Sequence, residues 1–396
     1  MNNAAKTPSR LYYLDWLRVL AMVGIFFFHN ARFYDVFTDW HVKNASTSLG
    51  ASIPVAFMNE WLMPLFFLIA GASTYYALKY RRPGQYVQER ALRILVPLIF
   101  GTVVIVAPQA YFEALSHGAQ FGGYSFFQIY GLFLQTLPTL PWYHLWFLAY
   151  LFVFSMITLP IFMTWGEGGT SIISRFALLN RPWVILVLLV LLLAVIDVLL
   201  YPAGFWGNRS QGNWSIVAYL LFFISGYLIF ANPRIMETVK KLRWILLGVA
   251  IVALALLASV FLEVLMDREA HFGSAMFIAS QFVQAVSTWC WLLAILGLGS
   301  RFLNCNNRFL AYANEAVLPF YILHQTIIIT IGFYVVQWNT GVGLKYLTIS
   351  TTSFIAIMLI YEFLVRRINA LRFLFGMRLR RKTIVKNGVK GGGYSK

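Results

Sequence analysis

Long apolar runs, each close to the length of a bilayer crossing, recur along nearly the whole chain and are separated by short polar stretches. Ten can be marked: Leu11–Asn30, Ile53–Lys79, Arg90–Pro108, His144–Met163, Trp183–Tyr201, Trp214–Ala231, Trp244–Met266, Ser274–Leu298, Phe309–Val336 and Leu347–Val365. A helix needs about 20 mainly apolar residues to cross a membrane, whereas a barrel strand needs about 10 with alternating polarity. These runs are apolar throughout, so they predict helices. The connection from Gln109 to Trp142 is long, and its apolar part, Tyr124–Thr136, is too short to span; it is expected to be interfacial or re-entrant. The pattern therefore predicts an all-α, polytopic membrane protein with about ten transmembrane helices. No stretch is long and polar enough for a separate soluble domain. One membrane domain, residues 11–370, is expected, followed by a basic tail, residues 371–396.

Composition agrees. The 396 residues are 60% hydrophobic and 11% charged, against about 25% charged in a soluble domain. A net charge of +17 suggests nucleic acid until its distribution is traced. With the N-terminus placed inside, the inner loops collect Arg81, Arg82, Arg90, Arg93, Arg301, Arg308 and the basic tail. The outer side holds only Arg32, Lys43, Arg209, Arg268 and Lys345. Such a bias orients membrane proteins, and it predicts both termini in the cytoplasm of a multi-pass plasma (inner) membrane protein. The bilayer is the expected partner of the basic charge, and nucleic acid is not. Cys290 and Cys305 predict no disulfide. Asp15 and Arg18 inside the first run, with no small-x-small cleavage site after it, argue against a signal peptide.

Ionisable residues inside spans are costly and therefore mark function. The first span carries Asp15, Arg18 and His29. Arg18 and His29 are close to three helical turns apart, so they share one face, roughly 16 Å apart along the axis. Asp15 is within ion-pair reach of Arg18. Arg90 and Arg93, one turn apart at the cytoplasmic mouth of the third span, can hold phosphates bidentately or can simply snorkel. The first outer loop brings Asp35, Trp40, His41 and Asn44, an aromatic-polar set that suits a sugar or an ordinary interfacial belt. His144 and Trp146 open the fourth span, either as interfacial residues or as further substrate contacts. Asp197 and Glu263 lie near outer span ends, where water is expected to reach them. Asn314, Glu315, Pro319 and His324 share the ninth span, and a proline there suits a helix lining a cavity. An outer histidine above inner arginines suits a reaction whose charged donor stays in the cytoplasm. The imidazole can take a proton from an alcohol attacking a thioester, or take the acyl group itself. A non-catalytic exporter using the same polar stripe is the competing reading. No metal-ligand cluster is present in the sequence pattern.

At these residues the chain resembles the acyltransferase-3 family of polytopic membrane O-acyltransferases. The resemblance rests on Arg18-x10-His29, Leu14-Asp15-x-x-Arg18, Arg90-x-x-Arg93, His144-Leu145-Trp146-Phe147-Leu148 and Tyr321-Ile322-Leu323-His324. Trp40-His41-Val42 and Leu371-Arg372-Phe373-Leu374-Phe375 look like the branch associated with succinylating periplasmic glucans. The resemblance implies His29 as the catalytic histidine, Arg18 as its motif partner, Arg90 and Arg93 on the acyl-CoA side, and His324 as a second functional histidine. It implies acyl-CoA as donor substrate, with no permanently bound cofactor and no metal, and an extracytoplasmic glycan as acceptor. Asn314-Glu315-Ala316 departs from the Ser or Asn-Ala-Ser stretch common in the family, and leaves acetyl and succinyl, and the acceptor, open.

Overall fold

A computed structural model describes residues 10–380, except 38, 119–120, 122, 140, 166–180, 202–203 and 210–211. Among the described residues the chain is helical with no strand. Its main helices are α1 (Tyr12–Ala31), α2 (Leu49–Tyr80), α3 (Pro83–Ile105), α4 (Ala107–His117), α5 (Phe126–Thr136), α6 (Trp146–Thr164) and α7 (Pro182–Leu200). They continue as α8 (Ile216–Ala231), α9 (Pro233–Ser259), α10 (Ala275–Phe302), α11 (Arg308–Val335) and α12 (Val342–Val365). Among the described residues, eight helices are long and apolar enough to cross a membrane. The α3–α4 pair, bent by 44°, and the shorter apolar α8 occupy the two remaining expected spans. The protein is an all-α, polytopic membrane protein. α1 runs toward the outer end of the bundle.

α1 packs against α2, α10, α11 and α12, and so lies within the bundle instead of at its edge. α10 and α11 are the most enclosed helices, and α9 presents most of its apolar surface outward. The small residues at the end of α2 allow a very close crossing with α8. A Cβ on Gly226 would stand 2.0 Å from Leu68 O, and one on Gly71 would stand 1.9 Å from Phe223 O. Only glycine fits at either position, which is the small-residue packing that replaces the hydrophobic effect within lipid.

Three features differ from the expected pattern. α9 begins at Pro233 and stops at Ser259, earlier than the run Trp244–Met266, because the short turns Leu262–Met266 and Arg268–His271 take over. Asp197 does not reach water: it is 1% exposed and pairs with Arg209 at 2.8 Å. α3 starts at Pro83, so Arg90 and Arg93 lie inside the helix, on either side of the first residues of a π-helical turn, Ala91–Leu95. A π-turn has more residues per turn than 3.6, so the face predicted for the two arginines is rotated apart.

The start of the expected tail is folded. Asn369–Leu374 is helical, and Arg372 donates to Glu315 Oε1 at 2.8 Å and to Arg378 O at 2.7 Å. Residues 381–396 lie outside the described residues. Cys290 and Cys305 are both free.

Candidate active site

Apolar neighbours on successive turns hold α1 as a helix, and its last turn delivers His29 to the outer end. The chain then turns back across that end. Asp35, fully buried, accepts from Arg32 at 2.9 Å, Lys43 at 3.0 Å and the Phe37 backbone N–H at 2.9 Å. Asn44 accepts from Lys345 Nζ at 2.8 Å and donates to Ser46 O at 2.8 Å. Asp35 and Asn44 therefore hold the loop together and tie it to α12. Between them the loop presents Trp40 and His41.

Trp40 stacks on His29 with centroids 5.8 Å apart and planes within 9°. His29 faces His324 of α11 at 5.2 Å, and His324 meets His144 edge-on at 5.3 Å. Three of the sequence-predicted histidines thus converge from three elements. His41 lies beyond Trp40, at 5.4 Å between rings. Its Nε2 contacts Gln109 Nε2 of α4 at 3.1 Å and Gln325 Nε2 of α11 at 2.8 Å, so both amides can donate to it. Its Nδ1 is 3.0 Å from Glu113 Oε2.

Hydrogen bonds orient two of these rings. His324 Nδ1 is 2.5 Å from Tyr321 O, and His144 Nε2 is 3.0 Å from Ile322 O. A carbonyl only accepts, so each of those nitrogens carries the hydrogen. The other nitrogen of each neutral ring, His324 Nε2 and His144 Nδ1, keeps its lone pair, and both are buried without a hydrogen-bond partner. His29 Nδ1 is likewise buried without a hydrogen-bond partner among the described residues. The Tyr321 hydroxyl donates to His144 O and locks α11 to the turn that carries His144. Tyr143, which opens that turn, has φ 47°, a left-handed conformation uncommon outside glycine, and its ring faces His41 at 5.5 Å. Trp146 does not join the histidines. It is buried among Phe67, Tyr150 and Tyr219.

The inner half of α1 makes a second polar group. Arg18 reaches Ser73 Oγ of α2 at 3.2 Å, Asn314 Oδ1 of α11 at 3.3 Å and Asp15 at 3.5 Å. Asp15 pairs more closely with Arg10, at 2.7 Å. Arg90 reaches Thr74 Oγ1, the next residue of α2, at 3.2 Å and lies over the Tyr86 ring at 4.9 Å. Arg18 and Arg90 are thus hooked to consecutive hydroxyls, and both remain partly exposed. Arg93 turns instead to Glu89 at 3.3 Å.

Gln109, Glu113, Tyr143 and Gln325 were not among the expected site residues. Gln325 follows His324 directly, and a second polar residue in an apolar helix was a legible signal. Gln109 and Glu113 belong to the long outer connection and Tyr143 directly follows it, and no local pattern reports their contacts.

Known proteins resemble this chain over most of its length. A family model described as an acyltransferase domain matches residues 11–362. Glucans biosynthesis protein C of Salmonella schwarzengrund (strain CVM19633) is 24% identical over 386 residues, covering 92% of this chain and 94% of that protein. The protein of the same name from Salmonella paratyphi A (strain ATCC 9150 / SARB42) is 23% identical over 346 residues, covering 82% of this chain and 84% of its own length. No solved structure matches. A family match across most of the length, on a polytopic helical bundle with histidines gathered at one end, makes this multi-pass membrane protein an acyltransferase of the acyltransferase-3 family.

Proposed function

We propose that the protein takes an acyl group, acetyl or succinyl, from cytosolic acyl-CoA and transfers it to a hydroxyl of an extracytoplasmic carbohydrate, such as a periplasmic glucan, across the inner membrane. The observation that carries this reading is the division of α1. His29 stands at the outer end, beside the buried and unpartnered lone pair of His324. Arg18 stands at the inner half, beside Arg90. The names of the relatives, which refer to glucan biosynthesis, support a carbohydrate acceptor.

In this reading the donor's phosphates stay at the inner mouth, where Arg90 holds them, and Arg18 lines the path of the pantetheine arm. Guanidinium groups match phosphate oxygens in geometry and charge. The acceptor oxygen attacks the thioester carbonyl carbon while the His29 imidazole takes the hydroxyl proton. The C–S bond then breaks, the acyl group stays on the acceptor oxygen, and the proton passes from His29 to the leaving thiolate. Trp40, stacked flat on His29, fixes the ring plane, and His324 supplies a neighbouring proton acceptor. Asp35 and Asn44 act through the loop they hold, and His41 and His144 enclose the site.

The testing experiment is acyl transfer by the purified protein from acetyl-CoA and from succinyl-CoA to a soluble glucan, read by mass spectrometry. A mass increment of one acyl unit that disappears in His29→Ala supports the reading. The same increment from His29→Ala overturns it.

A further inference from the structure

A second polar cleft, about 830 Å³ in volume, opens on the outer side between Tyr201, Gly204, Asn208, Arg209 and Asn213 on one wall and the turns Leu262–Met266 and Arg268–His271 on the other. The acyl-transfer chemistry described above uses none of its residues. Two of its lining residues, Arg209 and Arg268, are held by a polar network behind it. Arg209 pairs with Asp197 at 2.8 Å and reaches Gln281 Oε1 at 3.4 Å. Arg268 donates to Gln284 Oε1 at 3.1 Å, and Gln284 donates to Glu60 at 3.0 Å. Glu60 also accepts from Thr288 at 3.2 Å. Both carboxylates and Arg268 are buried.

Two cations set against Asp197 and Glu60, with the Glu269 carboxylate also lining the cleft, leave no net positive field for a free anion. Donors held in place by such a network suit neutral oxygens instead. The walls are aromatic: Tyr201 and Phe272 stack at 5.8 Å and 22°, and the Arg209 guanidinium lies 5.7 Å from the Tyr201 ring centre. Phe272 leaves 46% of its surface open. Open aromatic faces beside fixed polar groups match a sugar ring, which is apolar on its faces and polar at its rim. The volume lies within the range of about 300–1,000 Å³ usual for small-ligand sites.

We propose that this cleft is a docking subsite for a polymeric carbohydrate acceptor, holding neutral sugar units remote from the one being acylated. The proposal rests on the carbohydrate-acceptor reading above. The cleft is joined to the histidines through one packed contact. Gly212, with φ +78°, comes against the Trp146 ring and accepts a 2.5 Å hydrogen bond from the Tyr219 hydroxyl. Trp146 lies two positions after His144. Binding of remote units can thereby be used to place the reacting unit, as enzymes for polymeric substrates require.

The test uses the full-length protein in nanodiscs, with a neutral glucan disaccharide and a long neutral glucan as acceptors. Wild type is expected to show a KM about tenfold lower for the long glucan, equivalent to roughly 1.4 kcal/mol. The double variant Phe272→Ala, Glu269→Gln is expected to remove that advantage while kcat for the long glucan holds. A second arm measures binding of the long glucan to His29→Ala protein by calorimetry, with and without Phe272→Ala. Equal KM for both acceptors in wild type, or an unchanged KM in the double variant, overturns the subsite and leaves acyl transfer standing. Phe272-dependent glucan binding by a wild-type protein that transfers no acyl group keeps the subsite and overturns the proposed reaction. Occupation by anionic phospholipid in place of glucan overturns the subsite.

Discussion

His324 and His144 each give one nitrogen to a backbone carbonyl and keep the other as an unpartnered lone pair inside the protein. A buried acceptor without a partner costs about 1–3 kcal/mol, so two such imidazole nitrogens in one cluster need a reason beyond folding. The proton transfer proposed for His29 would supply one. His324→Gln, which keeps size and polarity but cannot accept a proton in the same way, is expected to lower kcat by roughly 10²-fold, at the lower end of general acid–base effects, with KM for acyl-CoA little changed. Unaltered kcat would show that His324 only packs. The arginines separate in the same manner. Arg90 makes only a hydroxyl and a ring contact among the described residues, whereas Arg93 faces Glu89. Arg90→Ala is expected to raise KM for acyl-CoA by about tenfold or more, the worth of a charge-assisted hydrogen bond, and Arg93→Ala to change it far less. Equal effects from the two would mean that both reach the donor. Asp35 belongs to stability. Asp35→Ala leaves Arg32 and Lys43 without their shared carboxylate, and is expected to cost about 3–5 kcal/mol, read as a lowered thermal midpoint in detergent. An unchanged midpoint would remove Asp35 as the loop's anchor.

Helices were the most legible level of the sequence, because a run of apolar residues long enough for a bilayer has few other uses. His29 and Arg18 were legible for the complementary reason: ionisable groups stand out in such a run. Register within a helix was less so. The expectation that Arg90 and Arg93 share a face assumes 3.6 residues per turn, and the π-turn at Ala91–Leu95 breaks that assumption without a mark in composition. Long-range pairing was not legible at all. Asp197 looked like a solvated end residue, and its partner Arg209 lies in the following loop. Glu60 finds Gln284 and Thr288 more than two hundred positions away. Closely packed glycines were legible as permission and became exact contacts only in three dimensions. Gly226→Val would drive a branched side chain into the Leu68 carbonyl. Overpacking of this kind costs about 1–3 kcal/mol or more, so loss of monodisperse protein on size exclusion is expected. Normal yield and elution would mean that α2 and α8 can separate without harm.

Across the whole molecule, the two polar groups that include α1 residues occupy opposite halves of the bundle. α1 carries both, and α2, α3, α4 and α11 complete them from the sides. The exporter reading needs a polar stripe and nothing more. Family membership instead makes the chain an acyltransferase, and the gathered histidines are the place proposed for that chemistry. The central claim is that His29 performs acyl transfer to an extracytoplasmic carbohydrate. Its most direct test is mass spectrometry of periplasmic and surface glycans from cells that lack the protein, complemented by wild type or by His29→Ala at matched membrane abundance. The account predicts one acyl mass unit, succinyl or acetyl, restored on a glycan by wild type and absent with His29→Ala. Glycans acylated equally in both would contradict it.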